Sequence, residues 1–258
     1  MGDVTPLFIG GMARSGTTNA LRVLNAHPEV MLNGEISLAV LKHFFALLDG
    51  VERSYAEKNE VLEAWHARKA EYMFESFGYL SKGGRGQLRK VPDARFRGHK
   101  TPRAESLFDR YEAHFRAARL EPRYFYCARN PFDCWRSHKE MAWNSHETVE
   151  SFVAQYAESF SHLAQMRRRA PGRVFVLNLS GLTAAADPIA WYRENIFAPL
   201  GLELPGIAKR RIGKLEEARP AAKEAGLSRE EVRAIGGHPV IAALIEEMFS
   251  AGATASTG

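Results

Sequence analysis

The sequence predicts an α/β domain with a parallel central sheet. Short apolar segments typical of buried strands alternate with longer segments in which apolar residues recur at helical spacing. The 258 residues are 45% hydrophobic and 25% charged, an ordinary globular composition with enough apolar surface for a large core. We therefore expect a single domain over residues 1–250 and a flexible tail, rich in Gly, Ala, Ser and Thr, over residues 251–258.

The first half of the chain alternates strand and helix before two long helices. Leu21 and Leu24 share one face of a helix that Pro28 stops, and the glycines after Lys82 argue against regular structure. The predicted elements are a strand over 7–10, a helix over 17–27, a strand over 30–32, helices over 37–48 and 55–74, and a loop over 82–90.

The second half repeats this alternation. Residues 123–127 alternate and branch as in a strand, and Asn130 is predicted to cap the next helix because Pro131 suits a first turn, where no N–H is needed. The remaining predicted elements are a strand leading into 99–102, a helix over 107–118, strands over 123–127 and 173–178, helices from 130 and over 149–163, and a mostly helical region from 187.

Charge and cysteine content indicate which class of ligand the protein binds and in which cellular compartment it is expected. The net charge of +5 favours anionic ligands, but the basic residues are scattered and form no stripe of the kind that binds nucleic acid. Cys127 and Cys134 form no C-x-x-C pair and the histidines form no H-E-x-x-H spacing, so we expect no metal and a reducing compartment. No signal peptide or membrane-spanning run is visible, so we predict a cytoplasmic protein and leave a homo-oligomer open.

Residues 10–18, GGMARSGTT, form the first candidate ligand site. Gly11 and Gly16 have the glycine spacing of a Walker A loop, but Thr17 stands where that motif has lysine. A strand, a glycine-rich turn and a helix would direct several backbone N–H groups and the positive end of a helix dipole at one point, which suits an anion. The side chains predicted to assist are the hydroxyls of Ser15, Thr17 and Thr18 and the guanidinium of Arg14.

A second candidate anion site follows the strand that ends near residue 128. Arg129 and Ser137 are separated by about two turns of the predicted helix, so a guanidinium and a hydroxyl can surround another phosphate. Two anion sites on one chain indicate a ligand with two separated phosphate-like ends.

These segments resemble the sulfotransferases that use 3′-phosphoadenosine 5′-phosphosulfate. Residues 13–18, with Leu21 and the His27-Pro28 pair, are similar to their 5′-phosphosulfate loop, and residues 129–137 to their 3′-phosphate motif. The segment 100–102, Lys-Thr-Pro, occupies the place of a third family motif. The resemblance spans about residues 6–204 and implies a three-layer, P-loop-like fold, sulfuryl transfer to an acceptor, release of 3′-phosphoadenosine 5′-phosphate, and no metal.

The resemblance also implies roles for particular residues. Arg14 would steady the leaving phosphate and the sulfuryl oxygens, and Lys100 would contact the sulfuryl group or acceptor unless it forms a plain structural ion pair. The implied ligands of the 5′-phosphosulfate are Arg14, Ser15, Gly16, Thr17 and Thr18. The implied ligands of the 3′-phosphate are Arg129 and Ser137. A basic segment over 209–214 loosely resembles a late family loop and adds Arg211 and Lys214 as further contacts of the 3′-phosphate.

The general base is predicted to be Glu35. Aryl- and steroid-type relatives carry a histidine after the lysine-threonine segment, whereas here no histidine follows Thr101. Glu35 lies where carbohydrate sulfotransferases have a catalytic glutamate, and a carboxylate at the carboxyl edge of a strand faces the ligand crevice of an open sheet. His99 stays open as a substrate ligand, an alternative base or a structural group. The basic loop over 82–90 stays open as a contact for an anionic acceptor or as a lid, and without a ligand it is expected to be a solvated flexible loop.

Other functions stay open at this stage. A nucleotide kinase or other P-loop NTPase would need the lysine that Thr17 replaces, and a non-catalytic nucleotide-binding module would have no need of Arg14, Glu35 and Arg129 together. The acceptor is expected to be a hydroxyl or amine of a small molecule, a carbohydrate or a lipid-linked compound. The carboxylate base favours a sugar or aliphatic hydroxyl over a phenol.

Overall fold

The computed structural model describes residues 4–82, 94–141, 147–217 and 226–249. These residues form an α/β fold around a five-stranded parallel sheet of order β2-β3-β1-β4-β5, which confirms the predicted fold class. The strands are β1 (Thr5–Gly10), β2 (Val30–Asn33), β3 (Phe96–Lys100), β4 (Arg123–Ala128) and β5 (Val174–Asn178).

Helices connect the strands and cover both faces of the sheet. The α-helices of the described ranges are α1 (Thr17–Leu24), α2 (Leu38–Tyr55), α3 (Asn59–Leu80), α4 (Phe108–Ala117), α5 (Pro131–Lys139), α6 (Val149–Arg169), α7 (Leu179–Ala184), α8 (Pro188–Tyr192), α9 (Gly206–Glu217), α10 (Arg229–Gly236) and α11 (Pro239–Phe249). Shorter turns of 3₁₀-helix cover Ala104–Leu107 and Ala198–Leu200, and a π-helical segment covers Arg193–Phe197. None of the described helices has the length and apolarity needed to cross a membrane.

The core has one layer on each side of the sheet because side chains alternate along every strand. Along β1, Leu7 and Ile9 face α1, whereas Phe8 faces the opposite layer. The first layer also buries Val23, Leu24, Phe125 and Phe197, and the second buries Phe45, Phe77, Phe115 and Tyr124. A further cluster joins α5, α6, α10 and α11 and includes Met12 from the loop after β1.

Helix boundaries account for the main differences from the sequence prediction. α1 ends at Leu24 instead of residue 27, since the N–H groups of Ala26 and His27 bond three residues back, to Val23 and Leu24. The Asn25 side chain donates to the Leu32 carbonyl (2.7 Å) and accepts from the Leu32 N–H (2.8 Å). Residues 209–214 lie inside α9, in agreement with the helical region predicted from residue 187, so the segment that loosely resembles a late family loop is helical in this protein. Residues 83–90 of the predicted loop and the predicted tail lie outside the described residues.

Gly98 allows the central strands to approach one another. A Cβ atom at Gly98 would lie 1.9 Å from the Leu7 carbonyl oxygen, and β3 is held between β1 and β2.

Gly98→Ala is therefore expected to lower the free energy of unfolding by about 3 kcal/mol or more, measured by urea denaturation. Gly213→Ala is the matched control, since Gly213 has open space within α9 and alanine there should add up to about 1 kcal/mol. Equal effects of the two substitutions would contradict this account.

Candidate functional site

The carboxyl ends of four neighbouring strands bring the predicted site residues to one edge of the sheet. In the order of the strands, this edge carries Glu35 after β2, Lys100 at the end of β3, the loop of residues 11–16 after β1, and Arg129 after β4. The predicted base and the predicted anion ligands therefore lie in a row, although they are far apart in the sequence. Arg14 and its spatial neighbour Arg129, for example, are 115 positions apart.

The loop after β1, which we call the donor loop (residues 11–16), has the backbone of an anion site. Gly11 and Gly16 adopt left-handed conformations with φ of 110° and 97°, and a Cβ at Gly11 would lie 2.3 Å from the Cys127 carbonyl oxygen. Gly16 precedes α1 without a side-chain cap, so no side chain of the N-cap competes for the first N–H groups of this helix. These amides and the helix dipole favour an anion at this point.

The side chains of the donor loop and of the first turn of α1 form two sets, one buried and one exposed. Ser15 is fully buried, and its hydroxyl donates to the Met12 carbonyl at 2.6 Å, so it acts within the loop in this structure. Thr17 is also buried, whereas Thr18 and Arg14 are exposed at the surface. Among the predicted side-chain ligands of this loop, Arg14 and Thr18 are thus the ones open to a ligand.

The second anion segment contacts the donor loop directly. The Arg14 Nε–H donates to the Ser137 hydroxyl at 3.1 Å, and Arg129 donates from Nη1 to the Arg14 carbonyl at 3.3 Å. Asn130 accepts a hydrogen bond from the Phe132 N–H at 3.0 Å, which confirms the predicted N-cap of α5. The structure therefore brings Arg14, Arg129 and Ser137 together in one basic site.

Glu35 lies between two lysines. Its Oε1 accepts from Lys82 Nζ at 3.0 Å and its Oε2 from Lys100 Nζ at 3.2 Å. Partial burial alone would raise the pKa of Glu35, but the ammonium groups of Lys82 and Lys100 outweigh burial and hold this pKa below its ordinary value. The group is therefore a carboxylate at neutral pH. Lys100, predicted as a sulfuryl or acceptor contact or as an ion pair, forms the ion pair in this structure.

His99 lies inside the protein. Its side chain is fully buried, with Nδ1 at 3.1 Å from the Thr101 hydroxyl and Nε2 at 2.9 Å from the Tyr111 hydroxyl. Burial, with a smaller effect of the charge of Lys100, lowers the pKa of His99 to about 3. Of the two candidate bases, the structure therefore leaves Glu35 as the one that solvent can reach.

Arg211 and Lys214, the further predicted ligands of the 3′-phosphate, are carried by α9. Both are exposed on α9, which packs against the α1 layer through Ala208 and Ile212. Within the described ranges, no hydrogen bond or ion pair connects either residue with Arg129.

Two residues that support the site were missed by the sequence analysis as functional groups. The Thr101 hydroxyl donates to the Ile36 carbonyl (3.2 Å) and accepts from the Ile36 N–H (3.1 Å), which fixes the segment that carries Glu35. Glu105 is buried beneath the donor loop and accepts from the Gly11 N–H at 2.8 Å. No sequence signal identifies these contacts, since each depends on strands that are distant in the chain.

One group among the described residues has the composition of a metal site. Asp49, Glu52 and His114 place ligand atoms within 4.8 Å of one another, on α2 and α4. The fully buried Lys69 forms an ion pair with Glu52 and lies 3.5 Å from His114 Nδ1. The ammonium group of Lys69 thus already supplies the positive charge that these carboxylates require.

Comparisons with known proteins agree in one family. A family profile described as "Sulfotransferase family" matches residues 6–206. The crystal structure of sulfotransferase STF9 from Mycobacterium avium aligns with a TM-score of 0.53 at 16% identity, over 96% of this chain and 77% of that chain. The sulfotransferase domain from the Synechococcus PCC 7002 olefin synthase aligns with a TM-score of 0.52 at 17% identity, over 91% and 94% of the two chains. No curated protein matches the sequence.

Removal of the buried lysine should change the protonation of Glu35. Lys100→Met is expected to raise the pKa of Glu35, because the carboxylate loses a cation whose side chain is only 7% exposed and therefore weakly screened by solvent. The pKa can be measured from the ¹³C shift of the Glu35 carboxyl group as a function of pH. Lys42→Met, which removes an exposed lysine of α2, should leave it unchanged; a Glu35 pKa that stays the same or falls in Lys100→Met would contradict the proposed electrostatics.

Proposed function

Because the chain belongs to the sulfotransferase family, we propose that it transfers the sulfuryl group of 3′-phosphoadenosine 5′-phosphosulfate to an acceptor hydroxyl, with Glu35 as the general base. The observation that carries this proposal is the order of groups along the sheet edge. Arg129 and Ser137 lie at one end, the donor loop with Arg14 in the middle, and Glu35 at the other end. A donor held by both anion sites would direct its reactive end towards the carboxylate.

The proposed transfer is a single displacement at sulfur. The acceptor oxygen forms a bond to sulfur while the bond between sulfur and the bridging oxygen of the 5′-phosphate breaks, and the acceptor proton passes to Glu35. The leaving group is 3′-phosphoadenosine 5′-phosphate, which we call the bisphosphate product. Arg14 and the donor-loop amides stabilise the charge that moves onto the leaving phosphate and the sulfuryl oxygens.

Lys100 has two roles in this proposal. It ends β3, between the strand that precedes Glu35 and the strand that precedes the donor loop, so its ammonium would lie between the proposed base and a bound donor. There it keeps Glu35 ionised before the reaction and can turn towards the sulfuryl oxygens as an acceptor enters. A carboxylate that loses its lysine partner becomes a stronger base, which favours proton uptake at the time of transfer.

The acceptor is proposed to be a sugar or aliphatic hydroxyl of a small molecule or glycan. An alcohol keeps its proton until attack, so its transfer depends on a positioned base, and a glutamate serves that purpose. A phosphoryl-transferring NTPase is the weaker alternative, since Thr17 stands where the Walker lysine would contact the β- and γ-phosphates. In a non-catalytic nucleotide-binding module, the base and its two lysines would have no task.

Binding of the bisphosphate product tests the donor site. Calorimetric titration should show tight binding to the wild-type protein and weak binding of ATP with Mg²⁺. Arg129→Ala should raise the Kd of the bisphosphate product by about 10- to 100-fold, the value of a charge-assisted phosphate contact. Arg136→Ala is the matched control, since Arg136 lies on α5 and pairs with Asp133 (2.6 Å), and it should change the Kd by less than about threefold. Binding of ATP alone would overturn the sulfotransferase proposal.

Substitution of the base separates catalysis from binding. Glu35→Gln should lower kcat by about 100-fold or more, because the amide cannot take the acceptor proton, while the Kd of the bisphosphate product stays the same. Transfer is followed with radiolabelled donor and a panel of sugars, aliphatic alcohols and phenols. Glu63→Gln, on the exposed surface of α3, is the control and should retain full activity. Near-normal turnover by Glu35→Gln would exclude Glu35 as the base.

A further inference from the structure

A carboxyl group is buried directly beneath the donor loop. Glu105 is 3% exposed, and its Oε2 accepts the Gly11 N–H at 2.8 Å, at the first residue of the loop. The same oxygen would lie 2.5 Å from a Cβ atom at Gly10, so the acid is packed tightly against the end of β1. This contact is long-range, since 94 residues separate Gly11 and Glu105.

The backbone around Glu105 is tied to the same point. The Arg103 N–H donates to the Gly11 carbonyl at 2.9 Å, and the Thr101 N–H donates to the Ile9 carbonyl at 3.0 Å. Both the N–H and the carbonyl of Gly11 are therefore held by the segment that follows β3. This segment therefore sets the orientation of the first peptide group of the loop. The orientation of that peptide in turn affects the direction of the N–H groups that follow it.

Helix α6 supports the two anion segments from one face. The Ser159 hydroxyl donates to Glu105 Oε1, and the Tyr156 hydroxyl donates to the Arg129 carbonyl. Residues three apart lie on the same face of a helix, so Tyr156 and Ser159 extend from one face of α6. Glu105 thus links the donor loop to the helix that also holds the backbone of Arg129.

We propose that Glu105 is a positioning residue for the sulfuryl donor, which fixes the donor loop through the Gly11 amide and couples it through Ser159 to the Arg129 segment. The inference rests on the proposed donor site and adds to it a residue that does not touch the ligand. In this proposal, Glu105 sets the orientation of the loop amides and thereby the affinity of the protein for the donor.

The charge state of Glu105 is consistent with this role. Burial raises its pKa, although the hydrogen bonds from Ser159 and Gly11 oppose the increase. Burial therefore disfavours a negative charge beneath the loop, where such a charge would oppose a bound anion. Glu105 accepts from the Gly11 N–H with Oε2 and from the Ser159 hydroxyl with Oε1, and the Ser159 hydroxyl also lies 2.9 Å from the Tyr126 hydroxyl. A glutamine side chain keeps the acceptor for the Gly11 N–H, and its NH₂ group can donate to the Ser159 hydroxyl when that hydroxyl donates to Tyr126 instead.

The test compares Glu105→Gln, Glu105→Ala and a buried-acid control. The control is Glu112→Ala, because Glu112 is a carboxylate of similar burial on α4 that binds Tyr124 (2.8 Å) and Arg173 (2.7 Å) away from the donor loop. Two quantities are measured on the full chain: the calorimetric Kd of the bisphosphate product, and the hydrogen-exchange rate of the Gly11 amide by NMR without ligand. The second measurement does not depend on the proposed function.

Glu105→Ala is expected to raise both the Kd and the Gly11 exchange rate by about tenfold, the equivalent of one lost buried hydrogen bond. Glu105→Gln should stay within about threefold of wild type in both, and Glu112→Ala should lower the unfolding midpoint without a change in Kd. If Glu105→Ala does not fold, Ser159→Ala replaces it, with an expected increase of about threefold in both quantities.

Three outcomes would overturn the proposal: wild-type values in folded Glu105→Ala, loss of affinity in Glu105→Gln as large as in the alanine variant, or an equal increase in Kd for Glu112→Ala. Failure of the wild-type protein to bind the bisphosphate product would instead refute the proposed function. The Gly11 exchange rates would then still decide whether Glu105 fixes the loop.

Discussion

The register of β1 between β3 and β4 is the constraint on which the site depends. Leu7 pairs with Gly98 on one side and with Arg123 on the other, so the ends of the three strands are fixed relative to one another. Side chains are excluded at the closest approaches, as at Gly98 and at Gly11, where a Cβ would meet the Cys127 carbonyl. Because the strands are parallel, the same register that packs the core also sets the spacing of Lys100, the donor loop and Arg129.

Electrostatic balance along the sheet edge follows from this spacing. Positive charge is concentrated at this edge of the sheet by Arg14, Arg129 and Lys100. These cations suit an anionic ligand, but without one they repel each other. Glu35 offsets part of that charge by pairing with Lys100 and Lys82. Burial of Glu105 beneath the donor loop raises its pKa and so disfavours a negative charge at a position where it would oppose an anion.

The sequence predicted those features that local patterns encode. Strand alternation, the glycine-rich turn and the Asn130 cap of α5 each depend on residues close together in the chain, and the structure confirms the strands and the cap. The ion pair of Glu35 with Lys82, 47 residues away, and the bond from Gly11 to Glu105 depend on strand order, which no local pattern specifies. Residues 209–214 are helical, as predicted for the region from residue 187, and their loose resemblance to a late family loop shows that a basic composition suits a ligand loop and an exposed helix face equally well.

The two ion pairs of Glu35 raise a physical question about its proposed role as the base, because the lysines that hold its pKa low also weaken it as a proton acceptor. The two partners differ in a way that resolves it. Lys82 is 69% exposed, so water screens its contact and its separation from Glu35 costs little. Lys100 is nearly buried beside the donor loop, where a bound phosphosulfate would compete for its charge. Entry of donor and acceptor would therefore remove both partners in turn, so the basicity of Glu35 would increase only when the reacting groups are in place.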